Sequence, residues 1–258
     1  MRAEYSAVIP LRDDQPTSTF PLVTVLLIAA NVLAYAAQVV SGGAVTQSFA
    51  LVPYEVTHNV DLAGRVFRDS QGQVVAAYGP APHPLWLTIF TSMFLHGGFL
   101  HIAGNMLYLW IFGNNIEDAL GKLRFLVFYL VCGAIAAAAQ ILTDANSLIP
   151  NLGASGAIAG VLGAYFVLYP NARVLTIVPI GFAFLLNIRA YWVLLFWIAL
   201  QLWQGANGLG MHQQGGTAFF AHIGGFFAGM LIIQLLGGKR LAIEQRREAQ
   251  YPPRSGYY

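Results

Sequence analysis

Two side chains able to do covalent chemistry sit where the surrounding sequence is almost wholly apolar. Ser155 lies in Gly-Ala-Ser-Gly (153–156) and His222 in Ala-His-Ile-Gly-Gly (221–225), each near the start of a hydrophobic run. Polar groups are costly inside such runs, so each demands a reason. A serine hydroxyl attacks a carbonyl only if a base takes its proton, and a neutral imidazole is the usual base. Acyl transfer also needs hydrogen-bond donors aimed at the developing oxyanion. His101 and Asn105 are spaced i, i+4 and share one helix face. The Ser155 backbone N–H, at a helix N-terminus with a favourable dipole, adds a third donor. No carboxylate lies at that depth: Glu117 and Asp118 fall about four turns further along. A Ser155–His222 dyad with no acid to orient the base is therefore expected.

The elements that must hold these residues are membrane spans. Hydrophobic residues form 57% of the 258-residue chain and charged residues only 9%, against about 25% charged in an ordinary soluble domain. Apolar runs predict six spans, near Phe20–Val40, His101–Ile116, Phe125–Leu142, Leu152–Tyr169, Tyr191–Gln204 and Phe219–Leu236. Pro179 interrupts the stretch Val174–Leu186, which reads as a membrane-hugging connection rather than a further span. Of the 13 Lys and Arg, 11 fall on one side of such a bundle, and only Arg65 and Arg68 on the other. By the positive-inside rule both termini are cytoplasmic. Spans two, four and six then run inward, which brings His101, Asn105, Ser155 and His222 to one depth in the outer part of the bilayer. The expected fold class is an all-α membrane protein, a six-transmembrane-helix bundle. It has a cytoplasmic segment at 1–19, a membrane domain at 20–238 and a basic, disordered tail at 239–258.

Taken singly, each residue has an ordinary reading. Intramembrane serines usually glue helices together, His222 could bond a carbonyl, and His101 and Asn105 could be interhelical hydrogen bonders. Arrival at one depth from three helices favours the joint reading. Packing agrees: Gly156 and Gly160 on span four, with Ala221, Gly225 and Gly229 on span six, follow small-xxx-small spacing, which lets two backbones approach closely. No metal or other cofactor is expected, since His-Glu-x-x-His is absent and no carboxylate at that depth completes a zinc site. The lone Cys132 excludes a disulfide framework within the chain. A net charge of +2 gives no reason to expect nucleic acid.

The ordered set Phe-Leu-His-Gly-Gly-Phe-Leu-His-Ile-Ala-Gly-Asn (94–105), Gly-Ala-Ser-Gly-Ala (153–157) and Ala-His-Ile-Gly-Gly (221–225) resembles the rhomboid intramembrane serine proteases, from Ile-Pro-Leu-Arg (9–12) through span six. The resemblance implies a Ser155–His222 dyad, an oxyanion site including His101 and Asn105, and cleavage of transmembrane proteins near the outer face of a cell membrane. It gives His96 a structural role in the first loop, and Glu117 one tying the inner ends of helices together. It is incomplete at two places. Ala159 stands where an aromatic often follows the serine by one turn, and Trp86-Leu87 stands where Trp-Arg is common. Gly153, Gly156, Gly225 and Gly229 are the expected packing support.

Access to the site is expected through 205–216, where five glycines in twelve residues suggest a mobile cap with Met211 as a plug. The external loop 41–86 is long, and Val66–Tyr78 within it reads as a hairpin or an insertion. Partners implied are transmembrane substrates and the lipid bilayer. The alternative reading is a silent rhomboid-like protein that binds membrane clients, although such relatives are expected to lack the serine or the histidine. A transporter would string polar residues through the full depth and carry an internal repeat, and neither is evident.

Overall fold

The computed structural model describes residues 9–68, 71–180, 182–208 and 218–250. It is mostly helical. The long helices are α1 (Leu22–Val40), then α7 (Lys122–Thr143), α8 (Ser155–Leu168), α9 (Ala190–Gly208) and α10 (Phe219–Leu235). Shorter pieces are α2 (Ala44–Phe49), α3 (Pro53–His58), α4 (Thr88–Thr91), α5 (Phe99–Tyr108) and α6 (Asn114–Leu120), with α11 (Lys239–Gln250) after the last long helix. Among the described residues, α1 and α7 are long and apolar enough to cross a membrane. A third candidate is the pair Leu85–Phe94 and Phe99–Leu120, bent by 82° where the chain turns in. Between α5 and α6 one turn, Leu109–Gly113, is π-helical, so the two run on as a single rod with a local widening.

α8 sits in the middle of the bundle. Its residues Gly156 to Tyr165 are all buried, and they pack against α7 on one side and α10 on the other. The core also gathers Phe112, Phe125, Tyr129, Val161, Leu162 and Leu194, none of them more than 1% exposed. Apolar side chains also cover the outside: Leu33, Val40, Leu123, Trp203 and Leu235 are all at least two-thirds exposed. A helix apolar on every face suits a lipid surround better than water.

Strands occur at both ends of the bundle, which amends the all-α expectation. At the end that carries Arg12, Arg173 and Arg189, β1 (Ile9–Asp13) pairs antiparallel with β4 (Arg173–Ile180), which pairs with β5 (Phe182–Arg189) in a register from Arg173↔Arg189 to Ile180↔Phe182. The connection Val174–Leu186 is thus a β-hairpin. Its β-branched run around Pro179 suits strands better than a helix. In loop 41–86, β2 (Val66–Arg68) and β3 (Val74–Ala77) form the hairpin left open by the sequence. The expected disorder after Lys239 is corrected over 239–250: Lys-Arg-Leu-Ala-Ile-Glu-Gln-Arg-Arg-Glu-Ala-Gln is rich in helix formers, and Leu241 and Ala242 pack onto the core.

The basic-end sheet is tied to the bundle by acidic side chains. Asp13 Oδ2 accepts hydrogen bonds from Asn115 Nδ2 (2.8 Å) and the Tyr165 hydroxyl, while Asp14 Oδ1 accepts from the Arg173 N–H (2.8 Å). Glu117, 1% exposed, accepts from the backbone N–H groups of Val23 (2.9 Å) and Thr24 (2.7 Å) and from the Thr24 hydroxyl (2.8 Å). These are first-turn donors of α1 that have no acceptor within the helix, so one carboxylate caps α1 and binds it to α6. Asp118 does the same for the approach to α1, accepting from the N–H and hydroxyl groups of Ser18 and Thr19.

Candidate active site

Ser155 is the first residue of α8, so its N–H is one of the four at a helix start that lack an intrahelical acceptor. The segment leading to it is held from two directions. Leu51 and Asn151 exchange backbone hydrogen bonds of 3.0 and 2.7 Å, and the Gly153 N–H donates to the Ser92 carbonyl at 2.9 Å. Gly153 has φ +133°, which L side chains rarely adopt, and a Cβ there would lie 3.0–3.1 Å from the His101 ring. Glycine lets the loop before Ser155 and the His101 ring lie against each other.

His222 is 7% exposed on α10, and its Nε2 lies 2.7 Å from Ser155 Oγ. The close approach rests on glycine. A methyl group at Gly225 would overlap the Gly156 carbonyl oxygen, and one at Gly229 the Gly160 carbonyl oxygen. Both obstacles are backbone and cannot rotate away. On its other side, the His222 Nδ1 is 2.7 Å from Gln201 Oε1, and the ring lies 5.6 Å from that of Trp197 with 38° between planes. With the Gln201 amide oxygen on this side, which can only accept, Nδ1 carries the ring proton and Nε2 is the acceptor for the Ser155 hydroxyl. A proton taken from Oγ would therefore have a lone pair waiting for it.

His101 and Asn105 share a face of α5. The Gly97 N–H donates to His101 Nδ1 at 3.3 Å, which leaves the neutral ring's proton on Nε2, the edge that lies against Gly153. Asn105 is 7% exposed, and its Nδ2 has no partner among the described residues. No hydrogen bond joins His101 or Asn105 to Ser155 or His222 among those residues. His96 is buried at 3%: its backbone pairs both ways with the Gln38 side chain (2.9 and 3.2 Å), and its ring meets His101 edge-on at 5.2 Å. A cavity of about 40 Å³ beside Ser155 is lined by Ser92, Met93, Ala136, Gln140 and Ala218 among others. It exceeds the space one water needs. The expected cap lies outside the described residues from 209 to 217, Met211 included, and 205–208 are the end of α9.

Sequence reasoning missed Gln201 and Trp197. Their signal was available: a glutamine in an apolar helix four residues after a tryptophan, one face of α9.

A family model described as the rhomboid domain matches residues 83–239. The chain is similar to Rhomboid protein 1, mitochondrial, of Saccharomyces cerevisiae, 32% identical over 150 residues, which are 56% of this chain and 40% of that protein. It is likewise similar to the Rhomboid protease GluP of Bacillus subtilis, 32% identical over 161 residues (62% and 27% of the two chains). RHOMBOID-like protein 1 of Arabidopsis thaliana is 34% identical over 150 residues (58% and 34%). The match spans less than half the length of each of these relatives. With well over half of its residues inside that domain match, which runs from before His96 to beyond His222, the chain belongs to the rhomboid family.

Proposed function

We propose that the chain is an intramembrane serine endopeptidase that hydrolyses peptide bonds in or near transmembrane segments of other membrane proteins. The observation that carries this reading is the 2.7 Å hydrogen bond from the Ser155 hydroxyl to His222 Nε2, beside backbone and side-chain donors. Ser155 Oγ adds to the scissile carbonyl as its proton passes to His222. The resulting oxyanion is met by the Ser155 N–H, His101 Nε2–H and Asn105 Nδ2–H. His222 returns the proton to the leaving amine, and water activated by the same base then hydrolyses the acyl-enzyme.

The membrane topology belongs to the proposal. It counts six spans, the α5–α6 rod, α8, α9 and α10 with α1 and α7, with both termini in the cytoplasm and the site toward the outside of a cell membrane. The opposite ends of the bundle support it: Arg12, Arg173 and Arg189 lie at the sheet of β1, β4 and β5, far along the helices from Ser155. α8 has 14 residues, about 21 Å of helix against about 30 Å of hydrocarbon. With its C-terminal end near the inner face, Ser155 is recessed below the outer one. The first loop, 41–86, then sits over the site, and residues 20–238 form the membrane domain.

The test is cleavage of a transmembrane reporter by purified protein in detergent, with Ser155→Ala and His222→Ala as controls. Cleavage lost in both folded variants, with a fluorophosphonate probe labelling Ser155, is the expected result. Wild-type protein that neither cleaves nor labels would turn the reading to a silent client-binding protein.

A further inference from the structure

His222 must present one particular nitrogen to Ser155, and α8 and α10 offer no group that holds the ring in that state. Ala159, one turn beyond Ser155, has only a methyl group, and no carboxylate among the described residues reaches Nδ1. The support comes from α9. Gln201 is 8% exposed, and its Oε1 is 2.7 Å from Nδ1; Trp197, one turn earlier, lies against the ring. Burying a primary amide in an apolar helix is expensive unless its groups are bonded, and here one of them meets the base.

The geometry points to Gln201 as the positioning residue for His222, with Trp197 bracing the ring, in the place a carboxylate takes in a three-residue serine hydrolase site. The inference rests on the protease reading above. Gln201 fixes the Nδ1–H tautomer and the ring's rotation. Being uncharged, it does so without placing a formal charge inside the membrane, where one is costly. Its effect on an imidazolium formed during acylation is weaker than a carboxylate's, since the carbonyl contributes a dipole and no net charge. The amide turned over has the opposite outcome. That arrangement would set an N–H against Nδ1, force the ring proton onto Nε2 and leave Ser155 without an acceptor, so the two orientations have opposite chemical consequences.

The test uses the full-length protein. Gln201→Leu removes the acceptor and keeps an apolar side chain; Gln201→Glu keeps an acceptor oxygen at the same reach. Gln201→Leu is expected to lower kcat about 10- to 100-fold, part of the rate a positioned base supplies. KM should stay within about twofold, because no substrate contact is lost. Gln201→Glu should recover most of that loss. Fluorophosphonate labelling of Ser155 should slow in parallel, since it needs the same base and no transmembrane substrate. In wild-type protein carrying 15N-histidine, the His222 signals, assigned by their loss in His222→Ala, should report a proton on Nδ1, and Gln201→Leu should mix the tautomers. A wild-type ring protonated on Nε2 overturns the inference. So does a Gln201→Leu protein that labels and cleaves at the wild-type rate, or a loss that Gln201→Glu shares together with a lowered melting temperature, which would make the role structural. In those cases the protease reading is decided separately, by reporter cleavage and Ser155 labelling. If wild-type Ser155 takes no label, that reading falls and the inference falls with it.

Discussion

A side chain at Gly153 would meet two obstacles at once. Its φ of +133° strains any L residue, and the His101 ring is 3.0–3.1 Å from where Cβ would sit. Gly153→Ala should therefore displace His101 or shift the turn, at about 1–3 kcal/mol of backbone strain. If His101 is an oxyanion donor, kcat/KM for a reporter should fall about 10-fold or more, mostly in kcat; unchanged kinetics would detach His101 from the reaction. Gly225→Ala drives a methyl into the Gly156 carbonyl oxygen, and overpacking of that kind costs about 1–3 kcal/mol. It should lower both the melting temperature and the activity, since α8 and α10 carry the proposed Ser155–His222 dyad. At this scale the sequence was most readable: Ser155, His222, His101 and the glycines all fall in short motifs with a chemical reason for each type. Gln201 was not singled out, because its partner is 21 positions away and only the packing of α9 on α10 brings them together.

Among the elements, the helices follow from hydropathy to within a few residues. α10, expected at Phe219–Leu236, is Phe219–Leu235, and α8 begins at Ser155 rather than Leu152. That difference puts Ser155 at the first helical position. The β4–β5 hairpin was harder to read, because its apolar run shows no period and the β1 partner comes from more than 150 residues away. α11 was misread because dense charge looks like solvated coil until Leu241 and Ala242 are seen to dock. Glu117 is the element-level link with the clearest test. It receives three hydrogen bonds from the start of α1, and Glu117→Ala leaves those buried donors unpaired. A loss of about 3 kcal/mol or more is expected in thermal unfolding, while a melting temperature unchanged from wild type would remove Glu117 from the set of structural ties.

For the whole molecule, the basic end is where protons should matter to stability. Burial pushes the Asp13 carboxyl up to about 6 from 3.8, and Asp14 adds to the rise, while the Tyr165 hydrogen bond opposes it. A raised folded-state value means that the protonated form is favoured on folding. The Asp13 contribution is therefore fully present below about pH 3.8 and is lost as the pH rises through about 6. Unfolding followed between pH 4 and 7 should show the wild type losing stability relative to Asp13→Asn across that window. Parallel curves would show that Asp13 is not the group responsible. None of this was evident in the sequence, where residues 1–19 read only as a cytoplasmic segment, and only the fold brings Tyr165 and Asn115 to Asp13.

The π-helical turn at Leu109–Gly113 also sets an angle. An α-helix advances about 100° per residue, so a widened turn resets the phase of α6 relative to α5. His101 and Asn105 lie on one side of that turn and Glu117 and Asp118 on the other, each pair facing partners from a different part of the chain. Deleting a single residue within 109–113 would relax the turn to ordinary α-helix and keep both ends in phase, because the widened turn takes up one residue. Deleting one between Asn105 and Leu109 instead would leave length and hydropathy almost untouched but swing Glu117 about 100° about the axis relative to His101, away from α1 or, if Glu117 held, carry His101 away from Gly153. The rod between the two ends of the bundle thus works as a keyed shaft, whose two ends engage only at one rotation.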